Sequence, residues 1–323
     1  MKIDPSLRQK IRSDLGLDQP FVKGQHTSVK NCWHFTTDGN DVDVIFRNDT
    51  DFRSGMNRIY VVLQDFDIII LAFCLMDTHV HFILYGDFDT CNRFVHEYVR
   101  RTSMFITSRY HSLHALENVQ VHHQVIDNDF YLKTAICYTI KNPPAGGIRY
   151  MAYDYPWGSG SLYFRRSGHW SSAGWTSPEP QDIKLLGELS SRKRRILLGS
   201  KHPVPGDVRM VDGIVFPGEY TATDIVEELF KSCKGFNYFL CVSKETDVES
   251  RGGFISHLSL PLQEMRQHKQ ELCQTLFGEK NIRRLDTAQR VRLAKALRAR
   301  YNSSVKQIAR LCGLVYDEVR HLL

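Results

Sequence analysis

The chain has 323 residues, 42% hydrophobic and 24% charged, with a formal net charge of +6 and a pI near 8.8. It is long enough for two domains and ordinary in composition for a soluble globular protein, and its mild basicity permits a polyanionic partner without requiring one. Eight scattered cysteines without a C-x-x-C pair argue against a disulfide framework or zinc site, no apolar signal core follows Met1, and the longest apolar run, residues 68–76, is too short to span a bilayer.

Residues 1–29 read as a polar N-terminal extension with a short helix around 6–15. Residues 32–37 read as a strand, 38–41 as a turn, and 42–46 as a second strand. A helix over 49–62 precedes two strands at 67–74 and 79–85, consecutive and antiparallel. The pattern then predicts a helix over 90–111, a strand over 119–126, and a helix over 130–141 capped by Asp129 and stopped at Asn142-Pro143-Pro144. This order suits an α+β domain on an antiparallel sheet. Residues 150–166 look irregular, 182–198 helical, and the proline- and glycine-rich stretch 203–218 most like a linker. Beyond it, 223–234, 261–277, 286–301 and 305–323 read as helices.

The chemistry-bearing residues begin with Met76-Asp77-Thr78-His79-Val80-His81. In a strand, His79 and His81 point to one side, and Val80, Phe82 and Leu84 to the other, into a core. Two neutral imidazoles on a rigid element suit one metal ion, although a His-x-His pair also has a purely structural reading. Tyr138 and Asn142, four residues apart, share one helical face. The phenol oxygen is a candidate nucleophile, and the amide oxygen a candidate third ligand to Mg²⁺ or Mn²⁺. Such an ion would polarise a phosphate, orient it for in-line attack, and lower the phenol's pKa from its ordinary ~10. Taken alone, Tyr138 is a core or rim aromatic and Asn142 a helix terminator. Tyr131 is a rival nucleophile lacking an Asn four residues on, and His122-His123 reads as a polar strand segment rather than a second metal site.

Three motifs in order carry a family resemblance: Met76-Asp77-Thr78-His79-Val80-His81, then Tyr138-Thr139-Ile140-Lys141-Asn142-Pro143, then Tyr155-Pro156-Trp157-Gly158-Ser159. Over roughly residues 30–165 the chain resembles the single-tyrosine HUH transposases, and within them the REP-associated tyrosine transposases. The resemblance implies a ferredoxin-like α+β sandwich with His79, His81 and Asn142 as metal ligands and Tyr138 as nucleophile. It further implies cleavage of single-stranded DNA beside hairpin or palindromic repeats through a 5′-phosphotyrosine linkage that a 3′-OH later reverses. Asp77-Thr78 stands where the family usually has Pro-Asn, and Cys137 where an Arg often precedes the tyrosine.

From residue 283 to residue 310 there are nine Lys or Arg and one acidic residue, Asp286, the footprint of a phosphate-facing surface or of a solvated basic helix. The expected DNA contacts are Arg283, Arg284, Arg290, Arg292, Lys295, Arg298, Lys306 and Arg310, with Arg100 and Arg101 on the exposed side of the 90–111 helix. Residues 304–314 fit the first helix and Gly-containing turn of a helix-turn-helix, and 315–323 its recognition helix, with Ile308, Ala309 and Leu311 packing against Val319 and Leu322. The expected organisation is therefore an extension (1–29), an HUH catalytic domain (30–165), a linker with a basic helix (166–220) and a helical DNA-binding region (221–323).

Three activities fit these residues. The first is a metal-dependent single-strand DNA transesterase. The second is a domesticated, non-catalytic DNA-binding regulator on the same scaffold. The third is a metal phosphohydrolase using the histidine pair with water. The expected partner is single-stranded DNA bearing hairpins, in the cytoplasm and away from membranes, with the chain acting as a monomer or a homodimer.

Overall fold

Residues 69–75 and 80–84 are apolar at nearly every position, the pattern of strands covered on both faces. The computed structural model describes residues 3–20, 22, 24–37, 44–111, 116, 119–145, 151–164, 184–201, 203–242, 262–301, 305–319 and 322. They form two compact units, 1–248 and 249–323.

The first unit begins with helix α1 (Pro5–Asp14), capped by the Asp4 carboxylate. Strand β1 (Ser28–Thr37), helix α2 (Asp49–Leu63), strands β2 (Ile69–Leu75) and β3 (Val80–Tyr85), helix α3 (Phe88–Tyr110), strand β4 (Val121–Asn128) and helix α4 (Asp129–Ala145) follow. The strands make one antiparallel sheet in the order β2-β3-β1-β4, so β3 and β1 occupy its centre. Alternation along β3 sends Val80, Phe82 and Leu84 into the core beneath α2 and α3, and Ile83 and Tyr85 into the core beneath α4. On that second face α4 buries Leu132, Ala135, Ile136 and Ile140. Each of its large aliphatic side chains contributes about 1.5–3 kcal/mol by leaving water.

Local structure departs from the sequence expectations at identifiable places. The 38–41 turn and the first part of the 42–46 strand lie outside the described residues, and 44–46 is not a strand. There the amides of Ile45 and Phe46 both donate to the Asp77 carbonyl, and both side chains are buried. Asn128, not Asp129, caps α4 by accepting from the Tyr131 amide at 2.8 Å. Asp129 instead holds the Thr27 amide (3.0 Å) and the Lys133 ammonium (2.6 Å). Helix α4 also runs on to Ala145, past the expected stop. A proline's fixed φ is itself helical, and near a helix end its missing N–H removes few ladder bonds.

The stretch expected to be a linker is folded. Strand β5 (Lys184–Leu185) and a 3₁₀ turn replace the first part of the helix expected over 182–198, where the Leu186 and Gly187 amides pair with Val208 and Gly206. Helix α5 (Ser191–Leu198) then starts under a Ser190 cap. Strands β6 (Arg209–Val211) and β7 (Ile214–Val215) complete a three-stranded sheet in the order β5-β6-β7. Asp212 and Gly213 turn the hairpin with φ of 50° and 76°, the two left-handed positions of a type I′ turn. Asn57 of α2 ties this hairpin down: its amide nitrogen donates to the Leu197 and Gly213 carbonyls, and its oxygen accepts from the Val215 amide.

Helices α6 (Thr223–Phe230) and α7 (Cys233–Val242), expected to open a separate C-terminal region at 221, belong to the first unit. Ile225, Val226, Leu229, Phe230 and Phe236 share the core of α4. Arg8 and Arg12 of α1 pair with Asp224 and Glu228 of α6, so the N-terminal extension is docked as well. The 165–183 segment lies outside the described residues. All eight cysteines are free, and six are buried, as expected of reduced core thiols.

In the second unit, the helices Leu262–Phe277, Thr287–Tyr301 and Val305–Leu311 enclose a core that includes Met265, Leu272, Leu293, Leu297, Ile308 and Leu311. Gly313, at φ +62°, turns the chain after Cys312, and a four-residue helix, Tyr316–Val319, follows. Ile308, Ala309, Leu311 and Val319 are buried as expected, whereas Leu322 is exposed. Among the described residues, no helix is long and apolar enough to cross a membrane.

Candidate functional site

His81 sits on the central strand β3, in register with Thr36 of β1 and Cys74 of β2. Its neighbours Val80 and Phe82 face the α2/α3 core, so the imidazole turns to the α4 side. His79 lies just before the strand and stays with it, its ring centroid 4.9 Å from that of His81 at an interplanar angle of 80°. Thr78 Oγ1 is 3.0 Å from His79 Nδ1. The two imidazole rings thus lie beside one another.

Helix α4 brings Tyr138 against His81. The phenol ring is half-buried, 5.6 Å from the His81 ring in an edge-to-face arrangement. One turn on, Asn142 Nδ2 donates to the Tyr138 carbonyl at 3.2 Å. The Asn142 side chain also reaches His81, and this contact works to raise the pKa of His81. Burial, the largest influence, and the neighbouring His79 and His34 act the other way and hold that pKa well below the ordinary histidine range. His81 is thus neutral at pH 7, the form that ligates metals.

These residues fit a hard or borderline divalent cation. His81 Nε2 is buried with no partner at hydrogen-bonding geometry, and the other lone-pair atoms of the group are an imidazole and an amide oxygen. Among the described residues, no three His, Cys, Asp or Glu side chains form a metal-holding group. Two imidazoles and one oxygen leave coordination positions for water and phosphate oxygen, as Mg²⁺ and Mn²⁺ use.

His34, on β1, joins the group without having been singled out in the sequence. Its Nε2 lies 3.1 Å from His81 Nδ1, the two rings stack at 24°, and the Tyr138 ring is 5.8 Å away. Burial alone pushes its pKa down to about 4. The available signal was alternation: Phe35 faces one core and Cys32 the other, which places His34 on the side of Cys32.

The rival residues separate by burial and position. The Tyr131 ring is packed in the α4 core at 2% exposure. His123 packs against Phe35 and Phe88, on the α2/α3 side of the sheet. The Tyr155–Ser159 segment serves the fold: Tyr155 donates its hydroxyl to the Leu75 carbonyl at 2.8 Å, the Leu75 amide donates to the Trp157 carbonyl, and Ser159 accepts from the Phe73 amide. These bonds cover the open edge of β2, which would otherwise be free to pair with another strand.

The basic residues are dispersed. Arg100 and Arg101 lie on α3, across the sheet from Tyr138, and are engaged by Glu97, with Arg101 also reaching Asp65. In the second unit, Arg283, Arg292, Lys295 and Arg310 are exposed, and Arg298 is half-buried. Arg284 pairs with Glu279, while Arg290 donates to the Leu285 and Arg283 carbonyls and braces the turn there. Lys306 belongs to the Val305–Leu311 helix, and its side chain lies outside the described residues.

No family model matches the chain, and no curated protein does. Among solved structures, it is similar to a REP-associated tyrosine transposase bound to a REP hairpin, with 19% identity over 43% of this chain and 82% of that one and a TM-score of 0.32.

Proposed function

We propose that the first unit is a metal-dependent single-strand DNA transesterase in which Tyr138 attacks a phosphodiester. The observation that carries this reading is Tyr138 and Asn142, one turn apart on α4, both set against His81 of β3, whose ring neighbours that of His79. His79, His81 and the Asn142 oxygen would hold Mg²⁺ or Mn²⁺, which supplies Lewis-acid polarisation of the phosphate. Packing of the half-buried ring against His81 fixes the direction of the phenol. As Tyr138 Oη bonds to phosphorus, the bond from phosphorus to the 3′ oxygen breaks. The phenol proton passes to water, and the leaving oxygen is protonated to a 3′-OH. Attack of that hydroxyl on the phosphotyrosine reverses the step without external energy.

The β-α-β-β-α-β order and the β2-β3-β1-β4 sheet support a ferredoxin-like sandwich of the HUH nuclease type. The exposed Arg283, Arg292, Lys295 and Arg310 would anchor phosphates, and the short helices flanking Gly313 would act as a helix-turn-helix.

The test is adduct formation with a labelled single-stranded hairpin oligonucleotide and Mn²⁺. The wild-type chain should form a denaturation-resistant protein–DNA adduct. Tyr138→Phe should abolish it, His79→Ala should reduce it at least a hundredfold, and both variants should keep DNA binding. Adduct formation by Tyr138→Phe would refute the assignment. Tight, salt-sensitive binding without any adduct would favour the non-catalytic regulator.

A further inference from the structure

His34 is a buried imidazole that the proposed chemistry leaves without a role. It faces His81 directly, Nε2 to Nδ1 at 3.1 Å, from the neighbouring central strand. The two nitrogens share one proton, because a hydrogen bond between neutral imidazoles needs one N–H and one lone pair. If His81 binds a metal through Nε2, its Nδ1 must carry the proton, and the nitrogen that can accept it is His34 Nε2. Metal-bound histidines generally donate their second N–H to a fixed acceptor, which sets tautomer and ring orientation.

We propose that His34 is a positioning residue that accepts the Nδ1–H of His81 and so presents the Nε2 lone pair to the metal. The inference rests on the metal-site reading above. It adds a residue from a different strand to the site and assigns the proton on both rings. The backbone supports the role: β1 and β3 are paired from Cys32 to Thr36, which fixes the two imidazoles by sheet register rather than by loop conformation.

The experiment compares His34→Gln with His34→Met. Glutamine places an amide oxygen near the position of Nε2 and keeps an acceptor, whereas methionine has almost the same shape and flexibility without one. Mn²⁺ affinity is read by electron paramagnetic resonance of the free ion, and thermal melts establish that each variant is folded. The Gln variant should bind Mn²⁺ within about threefold of wild type, and the Met variant about 10- to 100-fold more weakly, the loss typical of an outer-sphere partner. In the Mg²⁺-loaded wild type, imidazole ¹⁵N spectra should show His81 protonated at Nδ1. Equal Mn²⁺ affinities for Met and Gln variants, or a proton on Nε2 of His81, would overturn the role of His34 while leaving the metal site standing. A wild-type chain that binds no Mn²⁺ at His79 and His81 would overturn both.

Discussion

Tyr131 and Tyr138 lie on the same helix, yet one ring is sealed in the core and the other is half-buried beside two imidazoles. Burial of this kind is not encoded in the spacing of a helix but in what the opposite sheet presents to it. His79, His81, Tyr138 and Asn142 were legible because each pair is local, two or four residues apart. His34 was not, because its partner is 47 residues away and meets it only through strand pairing. Charges show the same limit: Arg100 and Arg101 looked like free cations, but Glu97 takes both. Glu97 therefore has a testable signature. Its pKa is lowered to about 2, chiefly by hydrogen bonding to Arg100. A depressed carboxylate pKa stabilises the fold above its unfolded value, and that contribution fades as pH falls from about 4.5 toward 2. Replacing Glu97 by Gln should lower stability at pH 7 by about 1 kcal/mol after solvent screening, with the difference from wild type vanishing near pH 2 in urea titrations.

At the scale of elements, strands and helices with strong periodicity were readable, and the exceptions have physical causes. The helix expected over 182–198 failed in its first part because Leu186 and Gly187 find backbone partners at Val208 and Gly206, an option invisible to local periodicity. The 203–218 stretch looked like a linker by its prolines and glycines, yet it holds Val211-Asp212-Gly213-Ile214. An Asp-Gly flanked by β-branched residues is a strong hairpin signal, masked here by the surrounding prolines and glycines. The hairpin depends on one buried side chain, Asn57, which serves two carbonyls and one amide. Asn57→Leu keeps the volume but strands all three groups. Thermal or urea unfolding should show a loss of about 2–4 kcal/mol, whereas a loss below about 0.5 kcal/mol would mean that water replaces the amide. Equivalent care is spent on the β2 edge, where Tyr155 and Ser159 satisfy backbone groups that the sheet leaves open.

At the scale of the whole molecule, the α+β class and the antiparallel sheet followed from element order, whereas the division of the chain did not. Helices α6 and α7 are helical as expected but complete the α4 core, so the first unit extends to 248 rather than ending before 221. Amphipathic helices announce that they need a partner without saying which one. Arg283, Arg292, Lys295 and Arg310 belong to unit 249–323, and His79, His81 and Tyr138 to unit 1–248. The most direct test of the central claim is therefore made on the full chain. After reaction with a single-stranded hairpin and Mn²⁺, nuclease and protease digestion followed by tandem mass spectrometry locates the nucleotide-modified residue. The modification should lie on Tyr138 alone and be lost without the metal. A nucleotide on Tyr131 or any other side chain, or cleaved DNA with no modified peptide, would contradict the proposed chemistry.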